Sequence, residues 1–282
     1  MAGKGAYFAG KHVIITGGSS GIGLALAHQL AALRAKLSLV ARREDMLEQA
    51  RAAVKDAQPD TEVHVLPLDV ASEGDVQARL PPHLEAHPVD MLINNAGIAK
   101  PGRFLEQEAS DYREHMNINY FGMVHMTREV APRLVERRSG HIANVGSLLS
   151  VMGIYGYSAY AASKFAMYGF SECLRAELRP FGVRLTMLLP PDTDTPQHTA
   201  ELEIMPPETR AIAGNVKMLS AESVARSLLD GMAANRFEVI PGFDGRMTVM
   251  AQRWIPGVVH WVCDRAQRKV DRGSVESAHE SA

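Results

Sequence analysis

The sequence predicts an α/β protein built as one doubly wound domain, with a mostly parallel sheet covered by helices on both faces. Three observations predict it. Short apolar, β-branched runs alternate with helical stretches through the first two thirds of the chain. The first such run ends in a glycine-rich turn that opens into a helix. No internal repeat and no linker of domain-boundary character divides the 282 residues, a length that suits one large domain.

The elements follow in order. His12–Thr16 (HVIIT) is the first strand, apolar and mostly β-branched, and Ile22–Leu33 the first helix. Leu37–Val40 is the second strand and Asp45–Ala57 the second helix. Glu62–Leu66 and Met91–Ile93 read as strands three and four, with helical Ser72–Leu84 between them. The pair Pro81-Pro82 is expected to break that helix near its end, because proline lacks the N–H that a helix interior needs. A long helical stretch covers Ser110–Arg137, His141–Val145 is the fifth strand, Ser158–Arg179 a further helix and Val183–Leu189 the sixth strand.

Composition narrows the functions. The apolar fraction of 46% supplies a core, and a net charge of −2 gives no case for nucleic acid as a partner. Cys173 and Cys263 stand far apart, outside any metal or redox spacing. That suits a reducing, cytoplasmic setting. Cys173 reads as a core residue. The N-terminus carries no hydrophobic stretch of signal-peptide length, and no run of about 18 apolar residues exists to span a membrane. His83 and His87 (HLEAH) lie four apart, but no third ligand is evident, so no metal is expected.

The first strand leads into "TGGSSGIG". Gly17, Gly21 and Gly23 permit a tight turn and close backbone approach, and the helix behind them aims free N–H groups at a pyrophosphate. The second strand ends in "LVARRED". An NAD site places an acid at its end, and here that position is Ala41, followed by Arg42 and Arg43. Two guanidiniums suit a 2′-phosphate, and Ser19 and Ser20 add hydroxyl donors. NADPH is therefore expected in preference to NADH. Asp69, after the third strand, either accepts from the adenine amino group or caps the next helix. Tyr160 and Lys164 stand one helical turn apart, and so do Lys164 and Tyr168.

These motifs, with "NNAG" (Asn94–Gly97), "NINYFG" (Asn117–Gly122), Ser147 and "YAASK" (Tyr160–Lys164), resemble the short-chain dehydrogenase/reductase family across roughly Lys11 to Gly242. The resemblance implies a single Rossmann-type domain over residues 8–245 with a seven-stranded sheet; residues 193–218, long and without a regular pattern, read as a lid or a disordered connector. It implies a catalytic set of Asn119, Ser147, Tyr160 and Lys164. It also selects Tyr160 over Tyr168, because the family places a serine thirteen residues before the catalytic tyrosine, as Ser147 is. Further cofactor contacts are implied at Ile22, Val70, Asn95, Ala96, Gly97, Pro190, Asp192, Thr193 and Thr195, along with Tyr160 and Lys164 themselves. A homodimer or homotetramer is implied as well.

In this set carbonyl reduction needs a hydride from the nicotinamide and a proton for the oxygen. A free phenol has a pKa near 10, and bringing it to about 7 takes roughly 4 kcal/mol of preference for the phenolate. Lys164 is expected to supply much of that and to bind the nicotinamide ribose. Ser147 orients the carbonyl and stabilises charge on its oxygen. Asn119 is expected to hold a water linking Lys164 to solvent.

The sixth strand leads into "LLPPDTDTPQ", with Pro191 where most of the family has glycine. This loop and "VARRED" resemble the branch that reduces 3-ketodihydrosphingosine, a long-chain amino-ketone, to sphinganine. Gln197 departs from the glycine expected at its position. The expected substrate is a hydrophobic small-molecule ketone. Retinoid, steroid or acyl-chain ketones, and a non-catalytic dinucleotide-binding module, are the alternatives. In residues 193–218, Ile204, Met205, Ile212 and Met218 either cover an alkyl chain or pack on the body. Arg246–Val270 carries an apolar stripe at near-helical spacing with Trp254, Trp261 and flanking basic residues, broken or kinked at Pro256. It suits peripheral contact with a membrane, or packing against another subunit or the body. Residues 271–282 are small and polar and are expected to be disordered.

Overall fold

The computed structural model describes residues 3–213 and 218–280. In chain order the elements are α1 (Lys4–Phe8), β1 (His12–Thr16), α2 (Gly21–Ala32), β2 (Lys36–Ala41), α3 (Glu44–Ala57), β3 (Val63–Pro67) and α4 (Glu73–Ala86). They continue with β4 (Met91–Asn94), α5 (Ala109–His115), α6 (Gly122–Glu136), β5 (Gly140–Val145), α7 (Ser158–Leu178) and β6 (Val183–Leu188). The last are β7 (Thr193–Asp194), α8 (Pro196–Ile204), α9 (Pro207–Ala213), β8 (Leu219–Ser220), α10 (Ala221–Ala233), β9 (Glu238–Val239), α11 (Phe243–Trp254) and α12 (Pro256–Glu280).

Seven strands form one sheet in the order β3-β2-β1-β4-β5-β6-β9, every pairing parallel. Alternate side chains of β1 show why both faces must be covered. Val13 and Ile15 enter one apolar layer with α2, α3 and α10, while Ile14 enters the other with α4, α6 and α7. All three are fully buried. The order reverses between β1 and β4, which opens a crevice at the carboxyl ends of these strands.

Several expectations change. Pro81 and Pro82 do not end α4, which runs on to Ala86. Leu80 and Leu84 are both buried in the core, and this anchoring on either side of the prolines offsets the lost backbone bonds. The long helix expected over Ser110–Arg137 is divided: a π-helical stretch, Met116–Phe121, separates α5 from α6. Such turns re-aim side chains at functional sites. At Gly122, just beyond it, an added Cβ would stand 2.8 Å from Val70 Cγ2, so only glycine allows this approach. Cys173 is exposed rather than in the core. Pro256 does interrupt the C-terminal stripe: α11 stops at Trp254 and α12 begins at the proline itself. α12 extends to Glu280, through residues 271–280 where composition predicts disorder. A helix once nucleated propagates through polar residues that could not start one. Ser281 and Ala282 lie outside the described residues.

Candidate active site

The turn after β1 places Gly17 at φ +66° and Gly21 at φ +51°, a region open to glycine. A Cβ on Gly23 would lie 2.1 Å from the Gly17 carbonyl oxygen, so the third glycine lets α2 press against the turn. Thr16 Oγ1 accepts from the backbone N–H groups of Asn95 and Ala96 at 2.9 and 3.0 Å. Asn95 Nδ2 donates back to the Thr16 carbonyl at 2.9 Å. The Asn95 side chain thus braces the turn, and the residue also lines the cleft. Ser20 precedes α2 with no capping hydrogen bond of its own. The cradle fits a pyrophosphate: glycines where side chains would intrude, and the free N–H groups of a helix start beyond them.

Arg42 and Arg43 sit exposed at the end of β2, and among the described residues neither forms an ion pair. They are free to meet a phosphate. Asp69 Oδ1 accepts from the Ala71 N–H at 3.0 Å in a local turn, while Ser72 caps α4. The cap reading of Asp69 is therefore set aside, and its other oxygen is left for a ligand.

The cleft runs from this cradle past Ala96 and Gly97 to Ser147, Tyr160 and Lys164, bordered by Pro190, Asp192, Thr193 and Thr195. Gly21 and Thr195 nearly touch, since a Cβ on the glycine would stand 3.2 Å from Thr195 Cγ2. Lys164 is buried and donates to the Val145 carbonyl at 3.0 Å, with its Nζ 5.5 Å from the centre of the Tyr160 ring. Burial lowers the Lys164 ammonium to about 8, and the Glu201 carboxylate opposes that shift. Tyr160 is held above the usual phenol range, first by burial and then by the charge of Glu201, while a hydrogen bond with Ser147 works the other way. In the protein alone the phenol therefore keeps its proton, contrary to the lowering expected from Lys164. Tyr168 donates to Glu238 at 2.9 Å and does not line the cleft.

Asn119, fully buried in the π-helical stretch, donates from Nδ2 to the Ile98 carbonyl at 3.0 Å and to Ser163 Oγ at 2.9 Å. Its Oδ1 accepts from the Ile98 N–H at 2.8 Å. Both amide hydrogens are committed, so this side chain positions the wall beside Lys164. A relay water would have to bind a remaining oxygen lone pair.

The chain matches the short chain dehydrogenase family over residues 11–204. It belongs to that family. A Bos taurus protein named 3-ketodihydrosphingosine reductase is 37% identical over 242 residues, 84% of this chain and 73% of its own. The structure of a short-chain dehydrogenase from Sphingobium yanoikuyae in complex with NADPH superposes with a TM-score of 0.75 at 27% identity, covering 94% of this chain and 95% of that one. A short chain dehydrogenase/reductase from Burkholderia phymatum in complex with NAD gives a TM-score of 0.77 at 28% identity, covering 87% and 94%. This dehydrogenase is accordingly an oxidoreductase with a nicotinamide dinucleotide site and the expected Rossmann-type sheet.

The rest of the cleft lies beyond the cofactor cradle. One wall is apolar, with Leu149, Met152, Ile154, Met205 and Ile212, and α12 closes it with Val258, Val259 and Val262. Met205 is buried against Tyr157, whereas Ile204 and Met218 are more than 40% exposed. The segment expected to form a lid thus divides its apolar residues between the cleft and the surface. Among the described residues it forms two short helices, α8 and α9, flanked by the paired β7 and β8. One polar residue here was not expected from the sequence. Glu201 on α8 is buried, its oxygens accepting from the Tyr157 hydroxyl and from Gln197 Nε2, each at 2.9 Å. The departure of Gln197 from glycine, one turn before a glutamate, was the available signal.

Other predicted residues lie outside the cleft lining. Val70 packs on Gly122, Gly23 packs against the turn, and Ser19 is half-buried outside the lining. At the opposite end of the sheet, His83 and His87 meet His64 and Glu62, and the ligand atoms of Glu62, His64 and His87 lie within 4.8 Å of one another. The fold thus supplies a third candidate ligand that the sequence spacing did not show, with Lys36 also pairing with Glu62 at 2.8 Å.

Proposed function

We propose that this dehydrogenase reduces 3-ketodihydrosphingosine to sphinganine with NADPH. The similarity to the bovine reductase carries the reading, and the apolar wall beside Tyr160 supports it because a long alkyl chain needs such a surface. When bound, the dinucleotide supplies the hydride to the carbonyl carbon. Tyr160 gives its proton to the carbonyl oxygen, Ser147 steadies that oxygen, and the Lys164 ammonium stabilises the phenolate left behind. A phenol that holds its proton at neutral pH suits the reductive direction. Arg42 and Arg43, unpaired at the end of β2, support NADPH over NADH.

The same reading puts the enzyme at the cytoplasmic face of a membrane. Among the described residues no helix is long and apolar enough to cross one. Trp254 at 80% exposure, with Met250, Ile255 and Trp261, offers an interfacial surface beside the mouth of the cleft. The family resemblance supports a homodimer or homotetramer. The test is NADPH oxidation against 3-ketodihydrosphingosine, a retinal, a 3-ketosteroid and a short soluble ketone, with the product identified by mass spectrometry. Faster turnover of any of the others would sink the substrate assignment.

A further inference from the structure

We propose that Glu201 is the counter-ion for a cationic amine on the substrate, pairing with an ammonium group carried on the carbon beside the reacting carbonyl. This rests on the reading of the Tyr160 cleft as the ketone site.

Glu201 is 8% exposed, on the inner side of the lid. Its hydrogen bonds come from Tyr157 and Gln197, two neutral donors that favour the carboxylate, while burial holds the group above the usual carboxylate range, so a cation is what the site lacks. Among the described residues it forms no ion pair. Lys164, the one lysine or arginine lining the cleft among the described residues, is already bound to the Val145 carbonyl. Asp192 borders the cleft as well and adds a second negative charge. A buried carboxylate without a cation is costly, and a glutamine could keep both contacts by reversing one of them, its amide donating to the Tyr157 hydroxyl or to a flipped Gln197. What glutamate adds is charge.

The placement suits an amine next to the ketone. Glu201 bonds the Tyr157 hydroxyl, and the Tyr157 ring lies 5.7 Å from that of Tyr160. The carboxylate therefore stands one side chain away from the phenol that meets the carbonyl oxygen. Its field also acts on the chemistry: it holds the Tyr160 phenol up and opposes the lowering of Lys164. An ammonium seated against Glu201 would cancel that field where the phenolate forms. A ketone with the neighbouring amine is thus both better bound and better reduced than one without it.

The experiment measures calorimetric binding of sphinganine and of N-acetylsphinganine, which lacks the positive charge, to the NADP-loaded enzyme in one detergent. Wild type should prefer the free amine by at least about 30-fold, and Glu201→Gln should reduce that preference below about threefold, the scale for a buried charge pair that loses one partner. Unchanged Tm and NADPH affinity would establish that the variant folds, and Glu201→Asp should keep part of the preference. A wild-type enzyme indifferent to the amine overturns the inference without any variant. So does a preference that survives in Glu201→Gln, or an equal loss for both ligands. Turnover separates the two readings. If amine preference stands while 3-ketodihydrosphingosine is not reduced, the proposed reaction fails alone. If it is reduced without amine preference, the ion pair fails alone.

Discussion

Tyr160 and Lys164 divide the work of one helical turn, and each leaves a distinct trace. Tyr160→Phe removes the proton donor but not a cofactor contact of comparable weight. Its kcat should fall by about 10²-fold or more while NADPH affinity, read by fluorescence titration, stays near wild type. Retention of more than a few per cent of kcat would mean the acid lies elsewhere, with Tyr157 next in line. Lys164 carries its charge below a pKa of about 8 and loses it above. The reduction rate should therefore be full on the acid side and decline as pH rises through that value. A rate flat to pH 9.5 would show that the ammonium does not assist the phenolate. Replacing Arg42 and Arg43 by alanine should raise the KM for NADPH roughly tenfold or more, since each charge-assisted hydrogen bond contributes about 1.5–3 kcal/mol, and leave NADH nearly unaffected. Equal effects on both cofactors would rule out contact with the 2′-phosphate.

At the scale of elements, buried imidazoles tie strands to helices. His12 in β1 and His83 in α4 share Ser38 of β2, with hydrogen bonds of 2.8 and 2.7 Å. His141 in β5 joins Tyr7 and Thr186 at 2.7 and 2.8 Å. Burial lowers His12 and His83 to about 4 and His141 to about 3. Unfolded histidine titrates near 6.5, so between that value and the folded values the unfolded chain binds more protons. Stability is full above about pH 6.5 and is lost as pH falls toward 4. Calorimetric Tm should drop steadily from pH 7 to pH 4.5, and a flat profile would contradict these assignments. None of these pairings was readable in advance, because the partners lie 26 to 134 residues apart. The strands were readable, since burial on both faces leaves continuous apolar runs. The π-helical stretch was not, because its residues share the composition of the helices on either side. Glu201 stayed hidden for a similar reason: residues 193–218 show no long periodic pattern, and their two helices are held by the surface they cover.

For the whole molecule, the question is how a long-chain ketone reaches Tyr160. Trp254 and Trp261 are both more than half exposed, on helices that also line the cleft. Trp254→Glu with Trp261→Glu should reduce co-sedimentation with anionic liposomes and slow turnover of liposome-borne 3-ketodihydrosphingosine, while a short soluble ketone is reduced as before. If the double variant instead changes the oligomeric mass in light scattering, the surface is a subunit contact. Removal of α11 and α12 would be a poorer test, since Thr248, Ala251 and Val258 belong to the cleft wall.

The clasp of β7 on β8 pairs Thr193 with Leu219 and Asp194 with Ser220. It makes the lid a graftable cassette. The ends of the intervening segment are pinned together whatever lies between them, and doubling the length of such a loop costs only about 0.6 kcal/mol of closure entropy. Changes of length can therefore be accepted between these two short strands at little closure cost, provided that the contacts of α9 with α12, Arg103 and Tyr155 are kept. Substrate choice travels with the cassette, because Glu201, Met205 and Ile212 all lie inside it, whereas Ser147, Tyr160 and Lys164 remain on the scaffold. Exchanging residues 195–218 with another member of the family should change which ketone is reduced and leave the Tm within a few degrees, about what roughly 1 kcal/mol produces in a domain of this size.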